Sequence, residues 1–223
     1  MDMEPIWLSL KLAFITTLLL LIIGIPIAYW LSRKQNFLKI ILEALITMPL
    51  VLPPSVLGFY LLLAFSPNNA LGKWLHDQFD MQLVFSFKGL IFASVIYSLP
   101  FMISPIKVAL SHLPRSMAEA SYVMGKSPLH TFFYVLLPNI RPSIFTAAVM
   151  TFAHTLGEFG VVLMIGGNIP GETKVASIAI YDSVEIMDYD SANYYALILF
   201  AITFLIVTGI FLINRKAIKS PFE

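Results

Sequence analysis

The sequence contains no cysteine among its 223 residues. That absence excludes disulfide bonds, thiolate nucleophiles and cysteine-ligated metal sites. Charged residues are also scarce, at 12%, while 58% of the residues are hydrophobic. Soluble domains usually have about 25% charged and about 45–50% apolar residues. The composition therefore indicates an integral membrane protein.

A phosphate-binding loop is missing as well. No Gly-x4-Gly-Lys-Ser/Thr pattern occurs, so the chain is not predicted to hydrolyse ATP or to carry a cofactor of its own. No nucleophile with a base at credible spacing suggests another enzyme. The net charge of +1, without a basic cluster, gives no indication of a nucleic-acid partner.

Long apolar runs are what the chain does have. A spanning helix needs about 20 mainly apolar residues. Five runs are long enough, at 6–31, 38–65, 89–110, 143–165 and 194–213. The first is too long for a signal-peptide core and is taken as a span. The prediction is an all-α membrane protein with five transmembrane helices in one domain, and with its termini on opposite sides.

Lysine and arginine are unevenly distributed among the segments between the runs. Ten of them belong to one alternate set of segments: Arg33, Lys34, Lys39, Lys107, Arg115, Lys126, Arg141, Arg215, Lys216 and Lys219. The other set contains Lys11, Lys73, Lys88 and Lys174. Cytoplasmic loops carry the excess of positive charge. The N-terminus is therefore predicted to lie outside and the C-terminus in the cytoplasm.

The polar stretch 114–138 lies on the predicted cytoplasmic side. Ser116 is interpreted as the N-cap of a short helix at 116–126, with Glu119 completing a capping box. Gly125 is predicted to end the helix, and Pro128 follows. Four small or flexible side chains share one face, namely Met117, Ala120, Ser121 and Met124. This narrow face suits a groove on another protein, although helices of this length also lie flat on bilayers.

The spacing of this stretch resembles a known family. Glu119-Ala120-Ser121, three residues, Gly125, nine residues and then Val135-Leu136-Leu137-Pro138 resemble the EAA loop of binding-protein-dependent ABC importer permeases. Ser121 replaces the second Ala of that pattern, and Val135 replaces Ile. The resemblance implies a coupling helix that docks on an ATPase subunit. Its docking residues would be Ser116, Met117, Glu119, Ala120, Ser121, Met124, Gly125 and Lys126.

The second run contains Pro49, Pro53 and Pro54, followed by Ser55. Each proline removes a backbone donor and clashes with the preceding turn, so this span is predicted to kink or break. Broken backbone at membrane depth is tolerated inside protein or beside water. A role in lining the pore or hinging a gate is favoured over mere tolerance of proline. Ser94 and Ser98 of the third run are candidates for the pathway or for a helix interface.

The fourth run carries His154 and Glu158 at i, i+4, which predicts that both lie on one helix face. A metal site would need further ligands, which no nearby residue supplies. A proton relay is a second interpretation. The favoured one is a polar seam or gate supported by the pair, with Glu158 bonded to a neighbour and with Gly157 and Gly160 allowing close helix packing.

Three further segments carry a narrower resemblance, extending over about residues 6–214. LGEFG at 156–160, GNIPGET at 167–173 and PLVLPPSVLGFYLLL at 49–63 are similar to the molybdate permease subunits of ABC importers. Sulfate permeases share the LGE(F/Y)G element, so sulfate and tungstate stay open as substrates. The resemblance implies the type I ABC importer permease fold and a multi-pass location in the bacterial inner membrane.

The resemblance also implies partners. Two copies would form the pore, two ATP-binding subunits would bind ATP and Mg and dock from the cytoplasm, and a periplasmic or extracellular molybdate-binding protein would deliver the anion. The candidates for the pathway or gate are Pro49, Pro53, Pro54, Ser55, Ser94, Ser98, Thr151, His154, Gly157 and Glu158. No Lys or Arg lies at the centre of a span, so anion recognition is expected on another protein. The rival class is a proton-coupled secondary transporter that uses His154 and Glu158.

Overall fold

The computed structural model describes residues 2–34 and 36–218, without the side chains of 210, 211 and 213–218. Within these residues the regular structure is helical. The helices are α1 (Glu4–Ser32), α2 (Phe37–Thr47), α3 (Pro54–Phe65), α4 (Ala70–Phe79), α5 (Phe87–His112), α6 (Arg115–Val123), α7 (Pro128–Thr131), α8 (Leu137–Asn139), α9 (Arg141–Leu156), α10 (Gly160–Gly166), α11 (Ala176–Glu185) and α12 (Tyr189–Ile218). A 3-10 turn at Met48–Leu50 follows α2, and a π-helical turn at Phe132–Leu136 follows α7. Lys219, which entered the orientation argument, lies outside the described residues.

Membrane-length helices come in two forms. In the described part of the chain, α1, α5 and the Tyr189–Gly209 part of α12 are each long and apolar enough to span a bilayer. Phe37–Leu50 with α3, and Pro128–Asn139 with α9, form pairs bent by 113° and 75°. If each bent pair is one span, the structure has up to five spans.

The break in the second run follows from its prolines. The α2 helix ends at Thr47 and α3 begins at Pro54, with Pro53 extended at φ −55° and ψ 134°. Neither proline donates a backbone hydrogen bond, so a helix cannot continue through this point without unpaired carbonyls. The predicted kink or break is confirmed.

The fourth run, 143–165, does not form one helix, which corrects the prediction. The α9 helix ends at Leu156, and Gly157 caps it with its backbone N–H directed at Ala153 O and Thr155 O. A separate short helix, α10, begins at Gly160. The break lies between Gly157 and Gly160, two residues that the sequence analysis interpreted as packing positions within one helix.

The centre of the bundle is formed by α1, α5 and α9. Leu20, Met102 and Ile106 are fully buried there. Gly24 lets α1 approach α5, since a Cβ at this position would lie 2.9 Å from Met102 Cγ. Small residues at helix crossings are how membrane helices gain packing contact, because lipid gives little hydrophobic drive for association.

The short helix α11 packs one face against the bundle, with Ala176 and Ile178 fully buried. Ser9 Oγ of α1 accepts a hydrogen bond from Ala176 N at 2.8 Å. This bond fixes the start of α11 against α1. The position of α11 places Ser177 beside the break between α9 and α10.

Candidate translocation pathway and coupling segment

A seam of polar side chains joins α5 to α9. Ser98 Oγ lies 3.1 Å from His154 Nδ1 and 3.0 Å from Thr155 Oγ1. One turn away, Ser94 Oγ donates to Glu158 Oε2 at 3.4 Å. Ser94 and Ser98 are fully buried. The structure therefore brings together four residues that the sequence analysis had placed in or beside a pathway.

The arrangement of His154 and Glu158 differs from the predicted one. His154 lies in the last turn of α9, whereas Glu158 follows the end of that helix, so the two do not share a continuous helix face. They converge because each reaches a serine on α5, and these serines are four residues apart on one helix face. The Glu158 carbonyl oxygen accepts a hydrogen bond from Ser177 Oγ at 2.5 Å, which holds the broken backbone in place.

Several polar atoms of this region are buried without a partner in the described structure. They are Glu158 Oε1, Thr151 Oγ1 and Thr16 Oγ1. Glu158 is 5% exposed, and the ion pairs between described residues do not include it. Buried polar groups are normally satisfied by protein or ordered water. The seam therefore has free hydrogen-bonding capacity beside the broken spans.

His154 is packed as an aromatic side chain. Its ring stacks on Phe101 with centroids 3.9 Å apart and lies 4.8 Å from the Tyr97 ring. No group of three or more His, Cys, Asp or Glu side chains forms a cation site in the part of the chain that is described. The arrangement holds the imidazole between α5 and α9 with one hydrogen bond to Ser98.

The break in the second span packs directly on α10. A Cβ on Gly160 would lie 2.7 Å from Pro54 Cβ and 3.3 Å from Ser55 N. A Cβ on Gly58 would lie 2.8 Å from Met164 Cβ. The broken parts of the second and fourth runs therefore touch each other through two glycines.

Gly157 does not take part in that packing. It is exposed, and the nearest atom to a Cβ there would be Ala153 O at 3.8 Å. Its predicted role in close helix packing is wrong, because Gly157 ends α9 instead of facing another helix. Pro53, Pro54 and Ser55 are exposed on the surface of the single chain, whereas Pro49 is buried.

The sequence analysis missed an ion pair between Lys107 of α5 and Glu43 of α2. It ties the first half of the broken second span to α5. A signal for it was present, since a lone carboxylate in an apolar run normally pairs with a cation. Ser177 was also missed, and nothing in its local sequence pointed to Glu158.

The segment that is predicted to be cytoplasmic begins differently from its prediction. The α6 helix starts at Arg115, its N-cap is Pro114, and no side chain caps it. Ser116 is already inside the helix, so the predicted capping box with Glu119 is wrong. Pro114, extended at φ −57° and ψ 132°, turns the chain immediately before α6 and accepts a hydrogen bond from Met117 N at 3.1 Å.

The end of α6 agrees with the prediction. Gly125 has a left-handed φ of +73°, which glycine adopts without the steric cost of a Cβ. Gly125 N donates to Tyr122 O at 2.9 Å and Lys126 N donates to Ser121 O at 3.1 Å. These two bonds form a Schellman motif. The helical part stops at Val123, so Gly125 and Lys126 belong to the cap.

The exposed face of α6 is shifted from the predicted one. Ser121 is 1% exposed, and its Oγ lies 2.8 Å from Thr131 Oγ1. Met117 is half-buried, while Val123 is 88% exposed and Met124 is 67% exposed. The other predicted docking residues, Ser116, Glu119, Ala120, Gly125 and Lys126, are exposed. Ser121 therefore holds α6 to its own chain, and Val123 joins the outward surface.

This fold is that of solved ABC importers. The chain superposes on a chain of the inward-facing MetNI methionine ABC transporter with a TM-score of 0.72, covering 95% of this chain and 94% of that one at 20% identity. It also superposes on a chain of a bacterial ABC transporter involved in the import of the acidic polysaccharide alginate, with a TM-score of 0.74, 98% and 82% coverage and 16% identity. These likenesses define the type I importer permease fold, as predicted.

The sequence identifies the family. Residues 14–217 match the family described as binding-protein-dependent transport system inner membrane component, and the chain belongs to it. It is 44% identical to the molybdenum transport system permease protein ModB of Azotobacter vinelandii over 96% of this chain and 95% of that protein. It is 35% identical to a probable sulfate transport system permease protein cysT of Chlorella vulgaris over 83% and 70%. The predicted resemblance to the molybdate and sulfate permease group and the multi-pass inner-membrane location are confirmed.

Proposed function

We propose that this chain is the permease subunit of an ATP-driven molybdate importer and that two copies form its translocation pathway. The observation that carries the proposal is the 44% identity to a molybdenum permease along 96% of the chain. A sulfate permease relative is 35% identical, which is below the 44% of this molybdenum permease but similar to other molybdenum permeases at 34% and 33%. Molybdate is therefore the substrate proposed here, with tungstate and sulfate as the alternatives that an uptake assay compares.

The side chains of the seam are suited to a translocation pathway and not to a high-affinity anion-binding site. Ser94, Ser98 and Thr151 offer hydroxyl groups, while Glu158 is itself an acceptor. Tight recognition of a doubly charged oxyanion uses arginine, lysine or several backbone amides. High-affinity recognition is accordingly assigned to a separate molybdate-binding protein outside the membrane, and the hydroxyls offer weak, transient contacts.

ATP hydrolysis by the partner subunits is proposed to be coupled to transport through α6. Separate ATPase subunits bind ATP and Mg, dock on the exposed face around Glu119, Val123 and Met124, and move α6 as they close. The breaks at 51–53 and 157–159 interrupt two helices beside the seam and allow the flanking parts to move relative to each other. ATP and the loaded binding protein act by favouring the outward-open state over the inward-open state.

Reconstitution tests the function directly. The chain, its ATPase and its binding protein are placed in proteoliposomes, and uptake of labelled molybdate, tungstate and sulfate is measured with and without ATP. The expected result is ATP-dependent uptake that prefers molybdate and is unaffected by a protonophore. Preference for sulfate would change the substrate assignment. Uptake driven by a proton gradient without ATP would instead support the secondary-transporter alternative.

A further inference from the structure

A basic cavity opens beside α6, on the face that carries the exposed coupling segment. It has a volume of about 630 Å³ and is lined by the cationic side chains of Arg33, Lys34, Lys39 and Arg115. One carboxylate, that of Glu119, shares the lining. The ion pairs between described residues involve none of these five side chains. The cavity therefore presents an excess of positive charge that the carboxylates of the described residues do not pair.

An apolar groove adjoins this cavity. The groove has a volume of about 320 Å³, and Pro26, Leu129 and Phe133 contribute to its lining. Tyr29 and Arg33 line both spaces. The Arg33 guanidinium lies 4.5 Å from the Tyr29 ring centroid and donates to the Tyr29 hydroxyl. The basic cavity and the apolar groove therefore meet at Arg33, whose guanidinium is held by Tyr29.

Lys39 shows how the basic side of this site is built. Its side chain is 6% exposed, and its ammonium lies 4.9 Å from the Trp30 ring centroid while donating to the Trp30 carbonyl oxygen. These contacts position the charge at the cavity without neutralising it. A buried ammonium is costly unless an anion or several acceptors face it, so an anionic occupant would stabilise this arrangement.

We propose that the cavity and the groove together bind one anionic phospholipid. The phosphate group would lie among the four cationic side chains of the cavity, and an acyl chain would lie along the groove. Basic pockets between membrane helices on the cytoplasmic side bind anionic head groups. A free oxyanion would satisfy the cations but would leave the groove empty, so the adjoining apolar space favours a lipid. The bound lipid would connect the end of α1 to α6.

Lipid selectivity provides the test. The purified transporter complex is placed in phosphatidylcholine nanodiscs that contain a minority of phosphatidylglycerol, and the lipids retained on the protein are counted by native mass spectrometry. The wild type is expected to retain phosphatidylglycerol in preference to phosphatidylcholine. Arg33→Gln and Lys34→Gln are each expected to weaken that preference about fivefold, since one cation near an anionic head group contributes about 1 kcal/mol.

Matched variants separate the two halves of the site. Phe133→Ser is expected to reduce phosphatidylglycerol retention without changing any charge, because it removes part of the groove. Arg141→Gln removes a cation outside the cavity and is expected to leave the preference unchanged. Equal retention of both lipids, an equal effect of Arg141→Gln, or displacement of the lipid by inorganic phosphate or molybdate would overturn the proposal.

Discussion

The two carboxylate oxygens of Glu158 have different surroundings. Oε2 accepts a hydrogen bond from Ser94, while Oε1 is buried without a partner. Glu158→Gln keeps an oxygen that can accept the Ser94 bond, and its amide can use a water or a backbone acceptor near the broken helix. Since a single hydrogen bond contributes about 0.5–1.5 kcal/mol, ATP-driven uptake by this variant is expected to stay within about tenfold of wild type. Initial rates in proteoliposomes measure this.

Glu158→Leu is the matched comparison, because it removes the acceptor and leaves Ser94 without its partner. It is expected to lower uptake more than Glu158→Gln does. If Glu158 were a proton relay, Glu158→Gln would abolish uptake, because a glutamine side chain cannot accept and release the transported proton. Complete loss of uptake in Glu158→Gln, together with dependence of wild-type uptake on a proton gradient, would contradict the account.

The two serines of α6 lie in opposite environments. Ser121 is buried against Thr131, whereas Ser116 is exposed and caps nothing. Ser121→Ala is expected to reduce the free energy of unfolding by about 0.5–1.5 kcal/mol through the lost hydrogen bond. Ser116→Ala is expected to change it by less than about 0.5 kcal/mol, as for ordinary surface positions. Thermal unfolding in detergent distinguishes them, and a loss of about 1 kcal/mol in Ser116→Ala would restore its role as an N-cap.

At the scale of helices and their breaks, Gly160 sets the distance between the two broken spans. Gly160→Ala would place a Cβ 2.7 Å from Pro54 Cβ and 3.3 Å from Ser55 N. The added methyl group must push α10 away from α3, which is expected to cost about 1–3 kcal/mol of stability and to slow uptake. Gly157→Ala is the control, because its Cβ would lie 3.8 Å from its nearest neighbour, Ala153 O, which is an ordinary contact distance. Equal stability and equal uptake in the two variants would contradict a role for the contact between Gly160 and Pro54.

The Schellman turn after α6 offers a test of coupling. A Cβ on Gly125 would meet no atom of this chain within 4 Å, although the positive φ is unfavourable for most residues. Gly125→Trp is therefore expected to fold and to obstruct the docking partner, so that ATP hydrolysis continues while uptake falls roughly tenfold, a loss of about 1.4 kcal/mol. Gly125→Asn tolerates the left-handed backbone and controls for it. Normal uptake by Gly125→Trp would count against docking at this turn.

The helices themselves could largely be predicted from the sequence. Apolar runs of membrane length coincide with α1, α5 and α12 and with the bent second pair, and the prolines before α3 located one break, because both signals are local. The break after Leu156 was missed, because Gly157 and Gly160 were interpreted as packing residues and the contacts that hold the break come from Ser94 and Ser177 on other helices. The outward face of α6 was misjudged at Ser121 because only tertiary packing shows which side meets Thr131. Distant contacts of this kind have no signature in a single sequence.

For the whole molecule, the account depends on α6 facing the cytoplasm and touching an ATPase subunit. The charge distribution among the loops predicts this side, and the fold and family agree with an ATP-driven importer. The apolar Val123 and Met124, at the end of α6 and in its cap, are 88% and 67% exposed. Exposed apolar side chains at the end of a helix are suited to a protein interface.

The most direct measurement is a cross-link from α6. Because the chain has no cysteine, Met124→Cys introduces a single thiol at a 67% exposed position. A cleavable thiol–amine cross-linker is applied to the assembled complex in membranes, with Trp74→Cys on the predicted outer side as the control. The account predicts that Met124→Cys is joined to the ATPase subunit and that Trp74→Cys is not. Absence of that cross-link, with the thiol labelled by an impermeant reagent from the outer side, would contradict it.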